Sequence, residues 1–177
     1  MPFEVASEDS ATASVLRAAL LARDVESRPT IRLLMSGGNR DEALRFELVI
    51  EPDGTSRSLI RDALRHQDAS AQVTLSDIRL HRLSERLLDT SLLRLRAPQP
   101  LWLPDSVVGC LEITLRGGRE SKEDSSERWY FYADKDQALV ADDPPPPELL
   151  QAVSSLLEIV EKAPALPGPT DNSLVGL

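Results

Sequence analysis

Aromatic side chains are scarce in this chain of 177 residues: two tryptophans, two tyrosines and three phenylalanines, against a hydrophobic fraction of 41%. Any interior must therefore be built mainly from leucine, valine, isoleucine and alanine. Cysteine is scarcer still. The single Cys110 excludes an intramolecular disulfide and a multi-thiolate metal site. Long apolar runs are missing too. No stretch approaches the roughly 20 residues needed to span a bilayer. The one candidate for a secretory signal, Val15 to Val25, is interrupted by Arg17 and Arg23. The expectation is a cytoplasmic protein with no membrane partner. Basic charge is in deficit, 20 residues against 29 acidic ones, for a net charge of -9. Such a surface repels phosphate backbones, which argues against nucleic acid as a partner. Arginine is nevertheless abundant between Arg57 and Arg96, enough for one local basic face.

Four of the few aromatics stand together at Trp129-Tyr130-Phe131-Tyr132. Consecutive bulky β-formers point to alternate faces of a sheet, so Trp129 and Phe131 share one side and Tyr130 and Tyr132 the other. One side calls for a helix over it. The other is expected to meet water through tyrosine hydroxyls, or a partner.

The rest of the chain supplies the matching elements. Thr30 to Ser36 alternates Ile31, Leu33 and Met35 against Arg32 and Leu34, and Leu44 to Glu51 places Phe46, Leu48 and Ile50 on one face. Gly37-Gly38-Asn39 and Pro52-Asp53-Gly54 are turn signals. Thr55 to Ile60 reads as a third strand, with a short helix over Ser58 to His66 as the alternative. Thr74 to Arg96 reads as a long helix, started by Thr74 with Asp77 three residues later. Ile78, Leu80, Leu83, Leu87, Leu88, Leu92 and Leu95 recur along it at helical spacing. Val107 to Arg116 and Arg128 to Asp134 form a hairpin. Leu149, Val153, Leu156 and Val160 make one stripe on a closing helix, begun by prolines and stopped by Pro164.

These signals predict an α+β fold: a two-layer antiparallel sheet of about five strands with two helices packed on one face. Residues 30–162 form the domain. Residues 1–29 are either partly disordered or a short helix carried by Val15, Ala18, Ala19 and Ala22, and residues 163–177 read as a disordered tail.

Chemistry finds little support. His81 and Glu85 are four apart on the long helix, but a metal site needs three or more ligands and no third is spaced to join them. Ser36-Gly37-Gly38 is followed by a strand where a phosphate-binding loop would open a helix. Asp105-Ser106 lies in nothing like a nucleophile elbow. Cys110 alternates with the core face of its strand and reads as a small packed residue, and the runs Glu123-Asp124 and Asp142-Asp143 as solvated loops. No catalytic residue, metal or cofactor is therefore expected. Two features favour contact with another protein instead: the apolar loop Leu101-Trp102-Leu103 and the face carrying Tyr130 and Tyr132. A folded-back Trp102 and a covered sheet face are the plainer readings of the same residues.

The order of these signals resembles emfourin, a small family of bacterial protein inhibitors of thermolysin-like metalloproteases. The resemblance runs through Ile31 to Gly38 with its Ser36-Gly37-Gly38 turn, Thr74 to Arg96, Leu111 to Leu115, Trp129 to Asp134, and Pro147 to Lys162. Relative to it, this chain adds an N-terminal segment and an insertion around Arg57 to Val73. The resemblance implies a proteinaceous inhibitor or partner protein, not an enzyme, with a protease as its partner. The expectation is thus a non-catalytic protein-binding domain. A structural or assembly component, or a small-ligand module, is the alternative.

Overall fold

The computed structural model describes residues 4–37, 44–62, 67–96, 107–117, 123–133 and 145–161. Eight strands and three helices occur in them, in the order β1 (Glu4–Val5), α1 (Ala11–Leu20), β2 (Thr30–Gly37), β3 (Leu44–Ile50), β4 (Thr55–Asp62), β5 (Gln67–Thr74), α2 (Asp77–Asp89), β6 (Leu95–Arg96), β7 (Val107–Leu115), β8 (Ser125–Tyr132) and α3 (Pro147–Glu161). Short 3-10 turns at Val25–Ser27 and Leu92–Arg94 complete the set. The class is α+β.

Six strands form one antiparallel sheet in the order β5-β4-β3-β2-β7-β8, while β1 and β6 make a separate two-stranded ladder. The count exceeds the five expected because Gln67–Thr74, read as part of an insertion, is a strand paired with β4 from Thr55↔Thr74 to Asp62↔Gln67. On the core side it carries only Ala69, which is exposed, and half-buried Ala71 and Val73, too small to give a strong alternation. The alternative helix over Ser58 to His66 is replaced by β4 as far as Asp62.

Register fixes the core. Across the sheet, Trp129, Leu111, Leu33 and Leu48 stand in one row, with Glu127, Ile113, Ile31 and Ile50 beside it. Phe131, Gly109, Met35 and Phe46 form the row on the other side. Gly109 is required there: a Cβ at this position would fall among the ring atoms of Phe131. All three helices deliver their apolar stripes to this face, namely Ala13, Leu16 and Leu20 of α1, Leu80, Leu83 and Leu87 of α2, and Leu149, Ala152, Val153, Leu156 and Ile159 of α3. Trp129, 1% exposed, donates its Nε1 hydrogen to the Leu95 carbonyl at 3.1 Å. The indole thereby ties the sheet to the chain leaving α2.

Helix α1 lies within the stretch where a thin apolar face suggested Val15 and Ala18. Of the expected face Val15, Ala18, Ala19 and Ala22, only Ala19 is buried; Ala13, Leu16 and Leu20 complete the buried set, and Val15 and Ala18 face outward. The Ser10 hydroxyl caps it by accepting the Ala13 N–H at 3.0 Å. Just before the cap, Asp9 accepts from Arg17 at 2.6 Å and from Arg94 at 3.0 Å. These two hydrogen bonds lower its carboxyl pKa to about 2. One carboxylate thus joins α1 to the segment after α2.

The long helix expected over Thr74 to Arg96 is shorter. Thr74 ends β5, and the cap is Ser76, whose hydroxyl accepts from the Arg79 N–H at 3.4 Å. At the other end the Thr90 hydroxyl donates to the Leu87 carbonyl at 2.7 Å, and Ser91 takes a left-handed conformation with φ 57°. That reversal stops the helix. Leu92, Leu93 and Leu95 still reach the core, carried there by the 3-10 turn and β6. The Pro52-Asp53-Gly54 turn is as the sequence suggests. Gly54 has φ 85°, and Asp53 accepts the Thr55 N–H at 2.8 Å, which lowers its pKa.

Candidate binding surface

On the second face of the sheet, none of the described residues belongs to the buried core cluster. The central row of this face runs Tyr130, Cys110, Leu34, Glu47, Leu59 and Ser70, one from each strand. Charges pair within the neighbouring rows and between them and Glu47. Arg32 meets Glu47 at 2.6 Å, Arg128 meets Glu112 at 2.6 Å, and Arg45 approaches Glu47 at 3.4 Å. The Arg128 pKa rises through its hydrogen bond to Glu112. Burial and the nearby Glu112 raise the Cys110 thiol, which keeps it protonated and a poor nucleophile. Tyr130 is half-buried here. Tyr132, opposite Val108, is only 3% exposed, which corrects the expectation that both tyrosines meet water. A tyrosine ring can be buried while its hydroxyl stays hydrogen-bonded, and no buried side-chain nitrogen or oxygen among the described residues lacks a partner. Leu101, Trp102 and Leu103 lie outside the described residues, as do His66 and the Asp105-Ser106 pair.

A cleft opens elsewhere, between the end of α1 and the start of α2. It measures about 430 Å³, with Leu20, Pro29, Ile31 and Leu80 against its floor and Ile78 and His81 on its rim. Arg28 builds it. Its guanidinium donates to the Ala22 carbonyl at 3.1 Å, the Arg23 carbonyl at 2.7 Å and Asp77 Oδ1 at 2.9 Å, with a longer 3.5 Å contact to the Pro52 carbonyl. A cation beside carbonyls left unpaired past a helix end, and a carboxylate at the next helix start, both match the helix dipoles. One side chain therefore fixes the spacing of α1, α2 and the β3–β4 turn.

Exposed apolar groups stand among the charges at the cleft's mouth. Ile78 is 67% exposed on its rim, and Leu21, next to the lining residues Leu20 and Ala22, is 46% exposed. Val25, 43% exposed, lines an adjoining cleft that shares Arg28. Ile78 was expected on the buried stripe of its helix. At about 100° per residue it lies roughly 160° from Leu80, on the opposite side. A helical wheel confined to Asp77–Asp89 would have singled it out. Arg28 could not have been found so, because its partner Asp77 is distant in sequence.

His81 and Glu85 form an exposed i, i+4 pair at 3.4 Å. Among the described residues no three His, Cys, Asp or Glu side chains gather in a metal-binding arrangement, and no helix is long and apolar enough to cross a membrane. The arrangement offers an apolar socket with a charged rim and a polar, self-paired sheet face. No protein-family model matches the chain, and no curated protein matches it.

Proposed function

We propose that this chain is a non-catalytic protein-binding domain that receives an apolar side chain of a partner protein in the cleft between α1 and α2. The observation that carries the reading is Ile78, a large aliphatic side chain held out on the rim of this cleft. Exposed aliphatic groups beside a concave apolar floor, ringed by charge, are the makings of an interface centre. The groups with displaced pKa values support the non-catalytic part. Asp9, Arg17, Asp53 and Arg128 are shifted chiefly by hydrogen bonds that hold elements together, and Cys110 by burial. The resemblance to emfourin makes a thermolysin-like metalloprotease the partner to try first, with this chain as its inhibitor.

The test is a titration of the purified chain into such a protease, following both peptidase activity and complex formation by calorimetry. Inhibition by the wild-type chain and its loss in Ile78→Glu, with an unchanged circular dichroism spectrum, is the expected result. A complex without inhibition would keep the binding reading and remove the inhibitor. Absence of any complex would remove the protease. A small-ligand module is the second reading, favoured by the volume alone, since about 430 Å³ falls in the range of ligand pockets.

A further inference from the structure

Helix α2 keeps its charges apart. The side toward α1 holds Asp77, taken by Arg28, and Glu85, which meets His81. The other side carries Arg79, Arg82 and Arg86 at spacing i, i+3, i+7, a row about 10 Å long. These arginines wall a second cleft, of about 210 Å³, between α2 and α3, with Leu75, Leu83 and Ile159 also lining it. One carboxylate enters: Glu158 of α3 accepts from Arg86 Nη1 at 3.0 Å. Among the described residues, no other carboxylate lies within ion-pair distance of Arg79 or Arg82.

Apart from the Arg86–Glu158 ion pair between the helices, the grouping works against folding. Like charges three and four residues apart on a helix repel, and Arg79 stands in the first turn, where the helix dipole disfavours a cation. Glutamine has nearly the same helix propensity and would avoid both penalties. In a chain of net charge -9, a row of guanidiniums with one acid among them is also the reverse of the general balance. A guanidinium fork matches the oxygens of phosphate or carboxylate, and an apolar lining beside it lowers competition from water. At about 210 Å³ the concavity lies below the range of drug-sized ligand pockets and has room only for a small anion.

We infer that the cleft between α2 and α3 binds a small ligand bearing a phosphate or carboxylate group. Arg79 and Arg82 hold its oxygens, Arg86 stands at the far end of the row, and its apolar part rests on Leu75, Leu83 and Ile159. The inference does not rest on the partner-protein reading, although Arg82 lines both clefts.

Calorimetric titration of the full chain with inorganic phosphate and with succinate, at fixed ionic strength set by sodium chloride, tests it. Saturable binding of either probe is expected, weakened roughly tenfold or more in the double variant Arg79→Gln, Arg82→Gln. Phosphate alone binding assigns a phosphate-bearing ligand, succinate alone a carboxylate-bearing one, and both a general oxyanion site. Saturable binding of neither probe, or equal binding by the double variant with its circular dichroism unchanged, overturns the inference. Glu158→Gln, which frees Arg86, should bind more tightly, and weaker binding there would count against it as well.

Discussion

The two faces of the six-stranded sheet share one backbone and differ in nearly everything else. On the covered face, rows of leucine, isoleucine and aromatic side chains from β2, β3, β7 and β8 interlock with three helices. On the second face, the same strands present arginine–glutamate pairs, half-buried Leu34, Leu59 and Cys110, and at one end the buried Tyr132. The difference is a division of labour. Close packing against the helices supplies the stability. The second face has only to remain compatible with water, through charges that satisfy one another across strands.

Leu33 and Leu34 put this contrast at adjacent positions of β2. Leu33 is fully buried between Leu48 and Leu111, whereas Leu34 is half-buried between Glu47 and Cys110. Leu33→Ala should cost about 2–5 kcal/mol, the largest effect considered, because it removes buried methyl groups and leaves a void the three helices cannot all close. Leu34→Ala should cost about 1 kcal/mol, the transfer value of a partly buried side chain. Urea denaturation with unchanged m-values measures both. Equal costs would show that the second face is as closely packed as the first, and the contrast would fail.

Much of the covered face was legible in the sequence. Ile31, Leu33 and Met35 alternate cleanly, as do Phe46, Leu48 and Ile50, and the aromatic quartet assigns Trp129 and Phe131 to the helix side. β5 was not legible, because Ala69, Ala71 and Val73 bury little surface and leave its alternation weak. The end of α2 was missed for another reason. Leucines continue past it at helical spacing, and only the left-handed Ser91 shows that the chain has turned. The cleft beside α2 depends on Arg28 bridging three segments, a contact that no local pattern encodes. The arginine row and exposed Ile78 are both present in the spacing of Asp77–Asp89, but leucines continuing to Leu95 blur a wheel drawn over the longer stretch.

Polar groups on the covered side are few, and Asp9 is the one with the clearest pH signature. Hydrogen bonds from Arg17 and then Arg94 lower its pKa from 3.8 to about 2 in the folded chain. Folding is therefore favoured while Asp9 stays charged. Its contribution is complete above about pH 4 and lost as the pH falls toward 2. Asp9→Asn should flatten the dependence of the urea midpoint on pH across that window, and NMR titration of the wild-type carboxyl should give a midpoint near 2. A midpoint near 3.8, or an unchanged slope in the variant, would mean that the link between α1 and Arg94 is not held in solution.

The smallest effect belongs to the second face and tests whether it is bare in solution. Arg32 and Glu47 approach to 2.6 Å, yet Arg32 is well exposed and Glu47 is shared with Arg45. Water and dissolved ions reach such a pair, so its Coulomb gain is largely cancelled by desolvation and by the entropy of holding both side chains. A double-mutant cycle with Arg32→Ala and Glu47→Ala should give a coupling of about 0.2–1 kcal/mol, fading in 1 M salt where the screening length falls to about 3 Å. A coupling above about 2 kcal/mol that ignores salt would be the signature of a pair removed from water. Something would then lie over this face in solution, and the two sides of the sheet would be alike after all.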